Sequence, residues 1–271
     1  MAANNLRIIY KNLVDTATVT ASTTAGVTSV ANLKLDTKSL VWRSTSNTAT
    51  LTVALAASST IGGIVLPFTN LTSTASINIT LSNGYTTGEV LCSPYSGTEL
   101  WDPNSIPVGT SAYSYGGGTC ARVWFPKQSD ITSITITISD TPLSYIEVSR
   151  LIVGNYWSPT YNTSYGLSTQ VQDLSTNQRN EAGDLITNRG TISSSMSFDF
   201  SYLNSADRVQ LISLLKNNGM YRPIFVSLFP DNLDDWTKEQ GHQIYGKLSQ
   251  LSAITHPVMG LYSSSISIEE V

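Results

Sequence analysis

Polar and apolar residues alternate along Thr50-Leu-Thr-Val-Ala-Leu55 and again along Ala75-Ser-Ile-Asn-Ile-Thr-Leu81. That period of two predicts strands with one face in water. Gly62-Gly-Ile-Val-Leu-Pro-Phe68 is apolar throughout and reads as a further strand, closed by Pro67. Leu6 to Tyr10, Ala121 to Phe125, Ile131 to Ile138 and Tyr145 to Val153 complete the set. Asn83-Gly84 supplies a strong turn signal, and Asn32 to Ser44 reads as an irregular segment with Trp42 near its end. Seven or eight strands before residue 155 is the number expected of a β-sandwich or jelly roll. Residues 84–120 show little periodicity and read as a long loop or set of loops, which in a compact domain usually has a job or an ordered packing role.

The pattern changes after Gly154-Asn-Tyr-Trp-Ser-Pro-Thr160. This break predicts two units, a jelly roll over 1–154 and a β-rich domain over 155–271. Tyr165 to Asp173 and Gly190 to Tyr202 read as the strands of a hairpin, with the charged segment Arg179 to Asp184 between them. One helix is predicted near 205–217. Asn204 or Ser205 can cap it, because a short polar side chain accepts from the first unpaired N–H groups. Asp207 suits the positive end of the helix dipole. Val209, Leu211, Ile212, Leu214 and Leu215 fall at helical spacing, and Gly219 supplies a left-handed stop. Pro223 to Phe229, His242 to Leu248 and Tyr262 to Ile268 are the last predicted strands. The fold class expected is all-β, with a single helix.

Composition strengthens that reading. The chain has 271 residues, of which 41% are hydrophobic and only 13% charged, about half the usual charged share. Ser, Thr and Asn take the place of the missing charge, and Thr suits a half-buried strand. Net charge is −4 and no basic run occurs, which argues against nucleic acid as a partner. Few charges also leave few side chains to keep sheet edges apart. Such a protein either closes its sheets or packs against neighbours. Met1 to Arg7 lacks the features of a signal peptide, and the apolar stretch Ile61 to Phe68 is too short to span a bilayer. The expectation is a protein made in a cytoplasm. There Cys92 and Cys120 are expected as buried thiols rather than a disulfide, and the sequons at Asn70, Asn78 and Asn162 as chance matches.

No catalytic constellation emerges, and the chain is expected not to be an enzyme. Nucleophilic triads need a His beside Ser or Cys, and His242 reads as the start of a strand and His256 as part of an extended or turn segment. Two His and two Cys scattered along the chain do not make a zinc site. Gly116-Gly-Gly-Thr-Cys120 lacks the Lys of a phosphate loop, and no cofactor is implied. Glu89 with Glu99, or Asp231 with Asp234 and Asp235, are carboxylate groups that hydrolysis could use, the second set reading better as a solvated turn. Aromatic side chains in or beside loops offer flat faces to sugars. Trp42 and Trp157 read as lids over the ends of a sandwich. Trp101, Tyr113 and Tyr115 are the candidate contacts for a glycan or a partner.

Val41-Trp-Arg-Ser44, Val65-Leu-Pro-Phe-Thr-Asn-Leu-Thr72 and Ser76-Ile-Asn-Ile-Thr80 resemble the galactose-binding-like (discoidin-like) jelly rolls of tailed-phage virion proteins. Tyr145 to Gly154 looks like the closing strand. Gly154 to Asn162, Arg179 to Gly183, the helix, Gly219-Met-Tyr-Arg-Pro223, Ser227-Leu-Phe-Pro230 and Ile268-Glu-Glu-Val271 resemble the C-terminal half of the same proteins. The resemblance covers nearly the whole chain through short matches in order. It implies a minor tail protein of the distal-tail or baseplate kind, located at the virion tail tip. Its partners would then be further copies of itself in a ring, and tail-tube, tape-measure, hub or fibre proteins. The alternative left open is an adsorption module that binds glycans on the host surface.

Overall fold

The computed structural model describes residues 5–72, 74–92, 119–230, 239 and 241–271. Strand β1 (Arg7–Ile9) opens the chain. The first lobe follows with β2 (Thr18–Ala21), β3 (Trp42–Arg43), β4 (Thr48–Thr69), β5 (Ser76–Leu81), β6 (Thr86–Leu91), β7 (Thr119–Ser139), β8 (Glu147–Val148) and β9 (Ile152–Gly154). The expected strands over 50–55 and 62–68 are one long strand, β4, and those over 121–125 and 131–138 are likewise one, β7. Local patterning separated them because the β4–β7 register shifts several times between Ala54 and Gly63. Each shift breaks the alternation that marks a strand while the ladder continues. The front of β4 pairs with β2 and the back of β7, and its rear half pairs with β9 and the front of β7. The ribbon therefore runs through both layers of a sandwich. Leu51, Val53, Ile64, Leu66, Ile77, Ile79, Val123, Ile134 and Ile136 fill the core between them.

The second lobe holds β10 (Ser168–Asp173), β11 (Thr176–Arg179), β12 (Leu185–Asn188), β13 (Ile192–Leu203), α1 (Ser205–Asn218), β14 (Ile224–Ser227), β15 (Gln243–Leu248), β16 (Thr255–Val258) and β17 (Leu261–Glu270). Its antiparallel sheet has the order β1-β14-β15-β17-β13-β10. Strand β1, first in sequence, thus belongs to the sheet of the C-terminal half, pairing Ile8 with Val226. The protein is mostly β, with one α-helix among the described residues.

The caps of α1 follow the sequence. The Asn204 side chain accepts from the Asp207 N–H at 2.8 Å, and Gly219 ends the helix at φ +53°. The buried stripe differs from the expected one. Leu211 and Leu214 are buried, with Asp207 and Asn218 at its two ends, while Val209 faces solvent. Both polar ends are satisfied: Asn218 Nδ2 donates to the Tyr10 carbonyl at 2.7 Å.

Alternation in the second sheet explains how the lobes join. Ile8, Ile224, Val226 and Ile244 point into the core under the helix. Their neighbours Ile9, Phe225 and Tyr245 point the other way, onto Val65, Phe68 and Ile152 of the first lobe. Likewise Ile64 and Leu66 face the sandwich interior while Val65 faces the seam. Segments that read as continuously apolar are therefore strands covered on both faces.

Candidate functional site

Trp101, Tyr113 and Tyr115 lie outside the described residues, as do Glu99, Asp231, Asp234 and Asp235. Glu89 accepts from Ser76 Oγ at 2.6 Å. His242 packs edge-on against Phe229, with ring centroids 5.1 Å apart. His256 stacks on Tyr262, and its Nε2 accepts from the Gly260 N–H at 3.1 Å. Among the described residues no three His, Cys, Asp or Glu are grouped to hold a metal ion, and no helix is long and apolar enough to cross a membrane.

Neither Trp42 nor Trp157 is a lid. Trp42 is fully buried in the sandwich core and donates from Nε1 to the Thr23 carbonyl at 3.2 Å. Trp157 lies in the core of the second lobe and donates to Asp207 at 3.3 Å. Arg43 and Ser44 of the 41–44 stretch and Asn70 of the 65–72 stretch converge on the closing segment 145–148. Arg43 Nε donates to Glu147 at 2.8 Å and its guanidinium lies over the Tyr145 ring. Ser44 Oγ accepts from the Ile146 N–H at 2.8 Å. The Asn70 amide clamps Tyr145 O and Glu147 N, at 3.0 and 2.7 Å. The motifs that carry the resemblance are thus clamps on the fold. Asn70, at 2% exposure, is no glycan acceptor.

Cys92 and Cys120 are thiols in different apolar clusters. Cys92 sits in the sandwich core, whereas Cys120 lies on the seam face with Trp124. Burial pushes both thiols up to about 12.

Three features of the surface and seam remain. The seam also holds polar pegs. Glu239 accepts from Arg122, from Trp124 Nε1 at 3.1 Å and from Ser227 Oγ at 2.9 Å. Arg150 donates to Asp15 at 2.7 Å and to Tyr245 Oη at 3.0 Å, and Tyr245 donates to Asp36 at 2.6 Å. Burial holds the Tyr245 hydroxyl well above its ordinary range. Lys38 bonds Glu270 at 2.6 Å.

The second feature is an arm. Past Val171 and Ser194 the β10–β13 pair runs beyond β17, and β11–β12 prolongs it to a turn at Asn180 to Asp184. At about 3.3 Å per residue the arm reaches roughly 30 Å from the sheet. Both of its faces are in solvent, and Val171, Leu174, Leu185, Ile186 and Ile192 are exposed on it. A two-stranded hairpin is marginal by itself, and among the described residues β10 has no strand on its outer side. The expected hairpin is present: the charged segment Arg179 to Asp184 forms its turn, and the residues flanking it, Thr176–Arg179 and Leu185–Asn188, are paired strand.

The third feature is a groove of about 430 Å³ between the lobes, lined by Tyr10, Lys11, Lys127, Tyr156, Trp157 and Gln210 among others. Sequence reasoning missed it because its walls come from five separate stretches of chain.

The fold defines the chain as an all-β protein with an N-terminal sandwich. No protein-family model and no curated protein matches it. Solved structures do match, over about half the chain. One is chitosan-binding module 1 of a chitosanase/glucanase from Paenibacillus sp. IK-5, at 17% identity, covering 54% of this chain and 99% of that one, with a TM-score of 0.36. Another is the family 32 carbohydrate-binding module of C. perfringens NanJ, in complex with galactose, at 15% identity, 54% and 98% coverage and a TM-score of 0.37. A third is the lectin domain of lectinolysin with Lewis B antigen, at 11% identity, 53% and 95% coverage and a TM-score of 0.36.

Proposed function

We propose that the chain is an assembly protein of a phage virion tail, forming a distal-tail or baseplate ring that joins tube, hub and peripheral fibres. The arm carries this reading. Its backbone edges and apolar side chains stand in solvent, and a neighbouring subunit that added a strand or covered these residues would satisfy both. The resemblance of the 41–44, 65–72 and 145–154 segments to tailed-phage proteins supports the virion setting.

The test is sedimentation of the full chain beside a variant in which residues 174–190 are replaced by Asn-Gly. The full chain is expected to form closed oligomers, and the shortened one to stay monomeric with an unchanged melting temperature. A full chain that remained monomeric at high concentration, and that mass spectrometry did not find in virions, would sink the proposal.

A second reading is a carbohydrate-binding adsorption module. It rests on Trp101, Tyr113 and Tyr115, rings that could stack on apolar sugar faces, in a segment joined to the sandwich at Cys92 and Thr119. The similar solved structures are of carbohydrate-binding modules and a lectin domain. A glycan array with the full chain and Trp101→Ala decides it. Binding lost in the variant supports the reading, and no binding to any host polysaccharide ends it.

A further inference from the structure

The groove between the lobes is walled by chemistry that the arm-based assembly does not use. Lys127, Ser59 and Thr60 come from the stretch of the β4–β7 ribbon where its register shifts. Asn155, Tyr156 and Trp157 come from the connector between lobes, Tyr10 and Lys11 from the segment after β1, and Ala206, Asp207 and Gln210 from the start of α1. The Tyr156 ring is set firmly. It lies against Gly62, where an added Cβ would sit 2.7 Å from its Cε1. The Arg7 guanidinium and the Lys127 ammonium approach this one ring to 4.7 and 4.6 Å. Two cations are thus drawn to the same place, and burial, followed by the Arg7 charge, lowers the Lys127 pKa.

The one acid in the wall does not balance them. Asp207 is buried, and its two oxygens accept from Trp157 Nε1 at 3.3 Å and from the Thr160 N–H at 3.0 Å. The lining therefore includes two cations, Lys11 and Lys127, and one carboxylate, Asp207, which is already engaged, on a chain whose net charge is −4. Local positive potential in a concave, partly desolvated wall concentrates anions even on an acidic protein. The remaining lining is suited to hydroxyls: Tyr10 Oη donates to Gln210 at 3.3 Å, and Asn155, Ser59 and Thr60 also line the groove. The volume is that of a small-ligand site.

We propose that this groove binds an acidic saccharide, with the carboxylate or phosphate of the sugar between Lys11 and Lys127 and its hydroxyls against Gln210, Tyr10 and Asn155. The site is separate from the arm and from residues 101–115, so its fate is independent of either functional reading.

Calorimetric titration of the full chain with a galacturonic acid trimer tests it, beside the methyl-esterified trimer, a glutamate hexamer and inorganic phosphate. The acidic trimer is expected to bind, and to weaken as salt is raised. The ester should bind at least about tenfold more weakly, as should the acidic trimer to Lys11→Gln/Lys127→Gln, a loss of about 1.4 kcal/mol. The melting temperature of the double variant should match that of the parent, which separates lost binding from lost folding. Equal binding of acid and ester, no binding of the acid, or binding that survives the double substitution each overturns the proposal. A glutamate hexamer or phosphate that bound as tightly as the trimer would overturn the saccharide assignment, leaving a site for charge alone.

Discussion

Arg122 and Glu239 form an ion pair across the seam, with side chains only 8% and 2% exposed. Burying two charges costs solvation that their attraction does little more than offset, but removing one partner strands the other. Glu239 also accepts hydrogen bonds from Trp124 and Ser227. Glu239→Leu is expected to lower unfolding free energy by about 3 kcal/mol, read from the urea midpoint. Adding Arg122→Met should restore a good part of it, since the second change removes the stranded charge. A single variant as stable as the parent would show that the peg contributes nothing.

Asn204 caps α1 and also donates to Thr160 Oγ1 at 2.8 Å. Asn204→Ala should cost about 1 kcal/mol through the lost cap. Asn204→Asp keeps the acceptor and should cost less. The comparison is a pair of urea melts, and equal losses in the two variants would contradict the capping role.

Gly246 lies where β15 crosses β17 so closely that an added Cβ would fall 2.0 Å from the Glu269 carbonyl oxygen. Backbone cannot yield as the end of a side chain can. Gly246→Ala should therefore destabilise the second lobe by at least the upper end of ordinary overpacking, about 3 kcal/mol. Amide exchange should show the loss first in β15 and β17. A soluble variant with parental exchange there would refute the close approach.

Features held by neighbours in sequence were legible from the chain. The Asn204 cap, the Gly219 stop and the alternation of β5 each depend on residues a few positions apart, and the structure contains all three. Features set by distant partners were not. Trp42 reads as a loop ring because nothing local shows that Ile146 and Val148, a hundred residues on, close the core around it. The same holds for β1, whose partner β14 lies at the other end of the chain. The arm was half legible. Its flanking strands alternate, but Thr176 to Arg179 and Leu185 to Asn188 carry no apolar period, because neither face meets a core. The groove left no trace, since Lys11, Lys127 and Gln210 are ordinary surface residues until the lobes meet.

Cys92 gives the protein an alkaline limit. Its thiol is fully buried in the sandwich core, and burial raises it from an ordinary 9.0 to about 12. Below pH 9 folded and unfolded chains both hold the proton, and the buried thiol contributes fully to stability. Above pH 9 the unfolded chain releases it while the folded chain does not, so stability falls as pH rises from 9 towards 12. Each pH unit in that window should remove up to about 1.4 kcal/mol for this one group. Cys120 and Tyr245 shift in the same direction and add to the slope. Cys92→Ala removes the Cys92 part, at the expense of a small cavity, so its urea midpoint should change less between pH 8 and pH 10 than the parent's. The same burial predicts that iodoacetamide leaves Cys92 unmodified at pH 8 in the native protein and alkylates it in urea. Equal pH slopes in parent and variant, together with rapid native alkylation of Cys92, would mean that this thiol is not sealed in the sandwich.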